Sequence, residues 1–212
     1  MKKDYLISFG VLLVTFTLIF IVTRDFFLDF ASDYKILGGF VKFFFLASIG
    51  DFIALRIKSK EWKIPSYIFV KALVWGLIGI SIVLMFVIYP LGIEELQEKN
   101  ILPFEGSTFF FALFVSIVMN LTYAPTMMAF HRVSDTYLNM RNNNKETTIN
   151  DAIDNVNWSQ FINFTIFKSV PLFWIPAHTI TFLLPVEYRI IFAAVLGIFL
   201  GLILGLFSNK KK

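Results

Sequence analysis

The chain has 212 residues, 57% of them hydrophobic and only 16% charged, with a mean hydropathy of +0.73. That balance leaves too little polar surface to wrap a water-soluble core, which excludes a soluble enzyme. With no cysteine, disulfides, thiolate nucleophiles and the common Cys-containing zinc and iron–sulfur sites are excluded too.

Six apolar runs follow one another along the chain: residues 5–22, 36–55, 64–91, 108–130, 162–184 and 186–207. Each has the roughly 20 residues that a helix needs to cross about 30 Å of hydrocarbon. The expected fold is therefore all-α, a polytopic integral membrane helix bundle of about six transmembrane helices forming one membrane domain over residues 1–212. The first run follows Met1-Lys2-Lys3-Asp4, exceeds a normal signal-peptide core and lacks a small-residue cleavage site, so it reads as a retained helix.

Between the runs, the 92–107 segment, with Glu94, Glu95, Glu98 and Glu105, reads as an acidic outer turn region. The 131–161 segment reads as the longest loop, with one surface helix capped by Thr148 or Asn150. In the fourth run, Asn120, Thr122 and Pro125 predict a kink or an unwound turn at mid-membrane. Pro171 and Pro176 make the fifth run the weakest span.

Charge orders the runs. The segments before run one, between runs two and three, between runs four and five and after run six hold twelve Lys and Arg, and the opposite side holds four: Arg24, Lys35, Lys99 and Arg189. The positive-inside rule then places both termini in the cytoplasm. The net charge of +4 is spent on this asymmetry, and no solvated basic domain exists for nucleic acid.

Ionisable residues within spans are costly and tend to face a bundle interior or a cavity. Asp51 and Lys71 lie near the cytoplasmic ends of adjacent antiparallel runs, where an ion pair would form either a structural clasp or a gate. Lys168 reads first as a snorkelling side chain, as does Lys42, and Glu187 and Arg189 read as interface residues. His178 is a candidate proton carrier, although a buried histidine is more often satisfied by a hydroxyl such as Thr122, Thr179 or Thr181. The pathway or gate candidates are thus Asp51, Lys71, Asn120, Lys168 and His178. In the last run, Gly197, Gly201 and Gly205 share one helix face that suits close packing, inside the bundle or between copies of the chain. No paired carboxylates, nucleophile elbow, phosphate loop or metal-ligand motif is present, so no catalytic residue, cofactor or metal is expected.

Gly50-Asp51 at the end of one run, Lys71 with Gly76 and Gly79 in the next, Asn120 to Pro125, and Trp174-Ile175-Pro176-Ala177 through Pro185-Val186-Glu187-Tyr188-Arg189 together resemble the Mpv/PMP family. That family includes a peroxisomal membrane protein and a mitochondrial inner-membrane relative. The resemblance covers residues 38–207, with residues 1–35 as an additional helix and loop. It departs from the family pattern at Gly79-Ile80, Met85-Phe86 and Met119-Asn120, where the family carries Gly-Pro, an aromatic pair after a histidine, and Asp-Gln. The resemblance implies a small integral membrane protein, some relatives of which are thought to form channels. The lack of organelle-targeting features and the richness in Phe, Ile, Asn and Lys favour a bacterial cytoplasmic membrane.

The expected function is a small solute or ion channel without chemical turnover, its partners the lipid bilayer and a second copy through the Gly197/Gly201/Gly205 face. The alternative is a non-conducting membrane scaffold that uses the same glycine face to bind a helix. A membrane enzyme ranks third, for want of catalytic groups.

Overall fold

The computed structural model describes residues 34–59, 61, 64, 66–143 and 146–196, with the side chains at 47, 51–54, 57 and 58 excepted. Gly197, Gly201 and Gly205, the first run and the side chain of Asp51 therefore lie outside the described residues. What is described is helical, with no strand: α1 (Lys35–Ser59), α2 (Ile68–Glu98), α3 (Thr108–Asn143), α4 (Ile149–Asn155), α5, built from Trp158–Gln160, Phe161–Trp174 and Ile175–Leu183, and α6 (186–196). Three of these, α2, α3 and α5, are long and apolar enough to cross a membrane.

Helix ends differ from the expectation wherever the chain stays helical past the hydrocarbon. At 31 residues α2 is about 46 Å long, and Glu94, Glu95 and Glu98 form its last turns rather than a loop. It stops at Asn100, whose left-handed φ of 56° lets the Asn100 and Ile101 N–H groups bond back to the carbonyls of Gln97 and Leu96, both at 2.9 Å. That is the reciprocal pair of a Schellman close, with asparagine in the position glycine usually takes. Gln97 then pins the following turn, its Nε2 donating to the carbonyls of Pro103 and Phe104 at 3.1 and 3.2 Å.

The third helix runs on through residue 143, so residues 131–143 of the long loop expected over 131–161 are helical, and the short helix α4 and the turn leading into α5 follow. Pro125 sits inside α3 without unwinding it. The first turn of α4 is a capping box: the Asp151 N–H donates to Thr148 Oγ1 at 3.2 Å and the Thr148 N–H to Asp151 Oδ2 at 2.7 Å. Thr148 is thus the cap, and Asn150 lies within the helix.

The tightest contact is between α1 and α2. A Cβ on Gly79 would sit 2.5 Å from the Gly39 carbonyl oxygen, and one on Gly39 would sit 3.0 Å from the Gly79 carbonyl oxygen. The two backbones touch through these glycines, an approach that only side-chain-free positions permit. Around this contact the core gathers Phe43 and Leu46 of α1, Ile78, Ile82, Phe86 and Ile93 of α2, Ala112, Val115 and Met119 of α3, Phe182 of α5 and Ala193 and Ala194 of α6. Lys42 is buried on α1, 6% exposed, rather than reaching outward.

Candidate functional site: a polar seam between apolar helices

Asn120 lies about 18 Å along α3 from Thr108, near the middle of the apolar stretch of that helix. It is fully buried, as are Ser116 one turn earlier and Thr181 of α5. The seam where α3 meets the C-terminal half of α5 therefore carries polar side chains at the depth where lipid offers nothing to bond with.

Asn120 and His178 meet there. The Asn120 Nδ2 and Oδ1 atoms lie 3.0 and 3.1 Å from His178 Nδ1. With Nδ1 unprotonated it accepts from the amide; with Nδ1 protonated it donates to the amide oxygen. In either case Asn120 Nδ2 also donates to the Ser116 carbonyl at 2.8 Å. Ser116 Oγ in turn crosses the seam and donates to the Ile175 carbonyl at 2.7 Å.

The partner of His178 is thus an amide and not one of the hydroxyls expected for it. Those hydroxyls turn back onto their own helices: Thr179 to Ile175 O at 2.8 Å, Thr181 to Ala177 O at 2.9 Å, and Thr122 to Val118 O at 2.6 Å. The imidazole is held on its faces as well, stacked on Trp174 at 5.3 Å between centroids and met edge-on by Phe86 at 6.1 Å. Two more polar contacts join α2 to α3 beside the seam, Ser81 with Tyr123 at 2.6 Å and Tyr89 with Thr122 at 2.7 Å.

Beside the seam, the α2–α3 interface has a different chemistry at each end. At the start of α2, Lys71 Nζ lies 2.5 Å from Asp135 Oδ1 and donates to Asn139 Oδ1 at 2.9 Å, while Asn139 donates to Asp135 Oδ2 at 3.0 Å. Lys71 therefore finds a carboxylate on α3, whereas the partner expected from the sequence is Asp51, whose side chain lies outside the described residues. His131, one turn before Asp135, packs on Trp75 with centroids 4.2 Å apart, and a cavity of about 10 Å³, roughly room for one water, lies between these groups. At the opposite end, Glu94, Glu98 and Glu105 line an open cleft of about 320 Å³ with Gln97, Ser107 and Thr108.

Lys168 does not join the seam. Its side chain is exposed on the outer face of α5, which suits snorkelling. Arg189 closes the turn between α5 and α6, donating from Nε to the Leu184 carbonyl at 2.9 Å and lying over the Phe182 ring at 5.6 Å. Among the described residues, no three His, Cys, Asp or Glu side chains are placed to hold a metal ion.

Ser116, Asp135, Asn139, Ser169 and Trp174 were missed as site residues. The signal was a four-residue spacing: Ser116 to Asn120, and His131 to Asp135 to Asn139, each pair on one face of α3.

Together these features define a helical protein whose apolar helices point to a membrane location. Compared with protein-family models, curated proteins and solved structures, the chain matches none of them.

Proposed function

We propose that this chain is a multi-pass membrane protein of the Mpv/PMP type that passes a small solute or ion through the bundle along the α3–α5 seam, without chemical turnover. The observation that carries this reading is the Ser116–Asn120–His178 cluster, buried at mid-span in helices otherwise apolar enough to cross a bilayer. Polar groups at that depth are costly and are retained where they face partners or a water-filled path. The ends of the adjoining α2–α3 interface support the same reading, with the Lys71–Asp135 pair at one and the acidic cleft at the other.

In this reading the chain has six spans with both termini in the cytoplasm of a bacterial cell, and Asp51 and Lys71 stand at the cytoplasmic mouth. The test is leakage of ions and graded neutral solutes from sealed liposomes holding the purified protein, with Asn120→Leu as the comparison. Protein-dependent leakage that falls in the variant is the expected result. Absence of leakage at every voltage and pH applied would overturn the pathway and leave a membrane scaffold.

A further inference from the structure

Along the seam and just before it, α5 carries hydrogen-bond donors that it does not use. The hydroxyls of Ser116, Thr179 and Thr181 all donate to backbone carbonyls. Ser169 Oγ and Trp174 Nε1 do not: both atoms are buried, and neither has a hydrogen-bond partner among the described residues. Ser169 is only 7% exposed. An indole N–H can only donate, so whatever satisfies it must bring a lone pair. In a dry interior an unmade bond of this kind carries a real cost, so a built-in orphan donor asks for a visiting acceptor.

The two donors share a face. They are five residues apart in Phe161–Trp174, a stretch wound with i to i+5 hydrogen bonds, as the Ile175 N–H to Val170 carbonyl bond shows. Residues five apart therefore lie on the same side there, offset by about 50° at roughly 4.4 residues per turn. Side chains on a helix lean toward its N-terminus, which tilts the Trp174 ring toward Ser169. The other side of the ring system is His178, whose Nδ1 is occupied by Asn120.

Charge narrows what the visitor can be. Between Glu94 and Glu105 at one end and Asp135 at the other, α2, α3 and α5 carry no carboxylate, so a cation stripped of water finds no counter-charge. An anion meets Glu94, Glu98 and Glu105 at the cleft, and the one cation of α5, Lys168, faces outward. We infer that the solute this seam accepts is a small uncharged molecule with a hydrogen-bond-accepting oxygen, of the urea or small-polyol class, held by Ser169 Oγ and Trp174 Nε1. The inference rests on the pathway reading above and names its substrate class.

The test uses the full chain in phosphatidylcholine–phosphatidylglycerol vesicles. Stopped-flow light scattering follows urea and glycerol entry, and ion-selective electrodes follow potassium and chloride. The wild type should pass urea or glycerol and neither ion. Ser169→Ala and Trp174→Phe should each slow that entry roughly three- to tenfold, the usual worth of one hydrogen bond, while Phe167→Leu on the exposed face leaves it unchanged. Because Ser169→Ala removes an unpaired group, the variant should unfold no more easily than the wild type.

Entry of urea and glycerol at wild-type rates in both donor variants would overturn the donor site. Passage of potassium or chloride by the wild type would overturn the neutral class while the pathway stands. Passage of nothing would overturn the pathway and this inference with it.

Discussion

Replacing Gly79 by alanine adds one methyl group where α1 and α2 have no room for it. Its Cβ would lie 2.5 Å from the Gly39 carbonyl oxygen and 2.7 Å from the Phe43 Cβ, against 3.4 Å for an ordinary contact. Neither neighbour can swing aside, since one is backbone and the other is the first atom of a side chain, so the helices must part by about 0.9 Å. Overpacking of this kind costs about 1–3 kcal/mol, toward the upper end here because the nearest obstacle is backbone. Alanine returns about 1 kcal/mol through its better helix propensity, for a net loss of about 2 kcal/mol.

Gly92 on the same helix is the control. Nothing lies within 4 Å of a Cβ built there, so Gly92→Ala should gain about 1 kcal/mol from propensity alone. Gly76→Ala should fall between the two, because its obstacle is the Phe40 ring, which can rotate away. Denaturant titration of the purified protein in micelles, followed by circular dichroism, ranks the three. Equal stability of Gly79→Ala and Gly92→Ala would refute the backbone contact between α1 and α2.

Other expectations follow from the polar groups. Asn120→Leu strips the amide from His178 and should cost about 1–3 kcal/mol. A double-mutant cycle with His178→Phe should show coupling of about 0.6 kcal/mol or more, and strict additivity would mean the pair is incidental. Lys71→Met and Asp135→Asn should each cost about 0.2–1 kcal/mol, because the Asp135 side chain is 38% exposed; the double variant should cost no more than the worse single one in the same titration. The backbone N–H of Thr148, then its hydroxyl, hold the Asp151 carboxyl below the usual aspartate range. A depressed folded value means that the cap stabilises α4 above the ordinary aspartate pKa and is lost as pH falls through the lower folded value. Amide exchange in 149–155 should therefore accelerate, relative to the intrinsic rate, below about pH 4, and Asp151→Asn should remove that pH dependence.

The apolar cores of α2, α3 and α5 were legible because hydropathy reports the lipid environment directly, and Thr148 was legible because a cap is local chemistry. Helix ends beyond the lipid were not. Residues 131–143 are polar on most faces, so nothing in their hydropathy separates a solvated helix from a loop, and Glu94, Glu95 and Glu98 are good helix formers that read as a loop only by their charge. Pairings across helices were harder still. Asn120 was placed at mid-membrane, His178 within the fifth run and Lys71 near one end, but which of them meet depends on how each helix is rotated about its axis. The glycines show the same limit: Gly197, Gly201 and Gly205 announce themselves by spacing on a single helix, whereas Gly39 and Gly79 make one contact only when two helices are laid together.

The prolines of α5 tie that local geometry to the proposed function. Residues five apart on an α-helix are rotated by about 140°, which would put Ser169 and Trp174 on different faces. Winding Phe161–Trp174 with i to i+5 bonds brings them to the same side instead, and the return to α-helical winding from Ile175 keeps His178, four residues after Trp174, next to the Trp174 ring. Pro171 lies inside the wide stretch and Pro176 in the first turn of the regular one, so each missing N–H falls where the hydrogen-bond pattern is already irregular or changing. The Ile175 carbonyl at that junction accepts from Thr179 on its own helix and from Ser116 across the seam, which anchors α5 to α3 at the point where its winding changes. The features that made this run read as the weakest span are the ones that gather its polar side chains on one face.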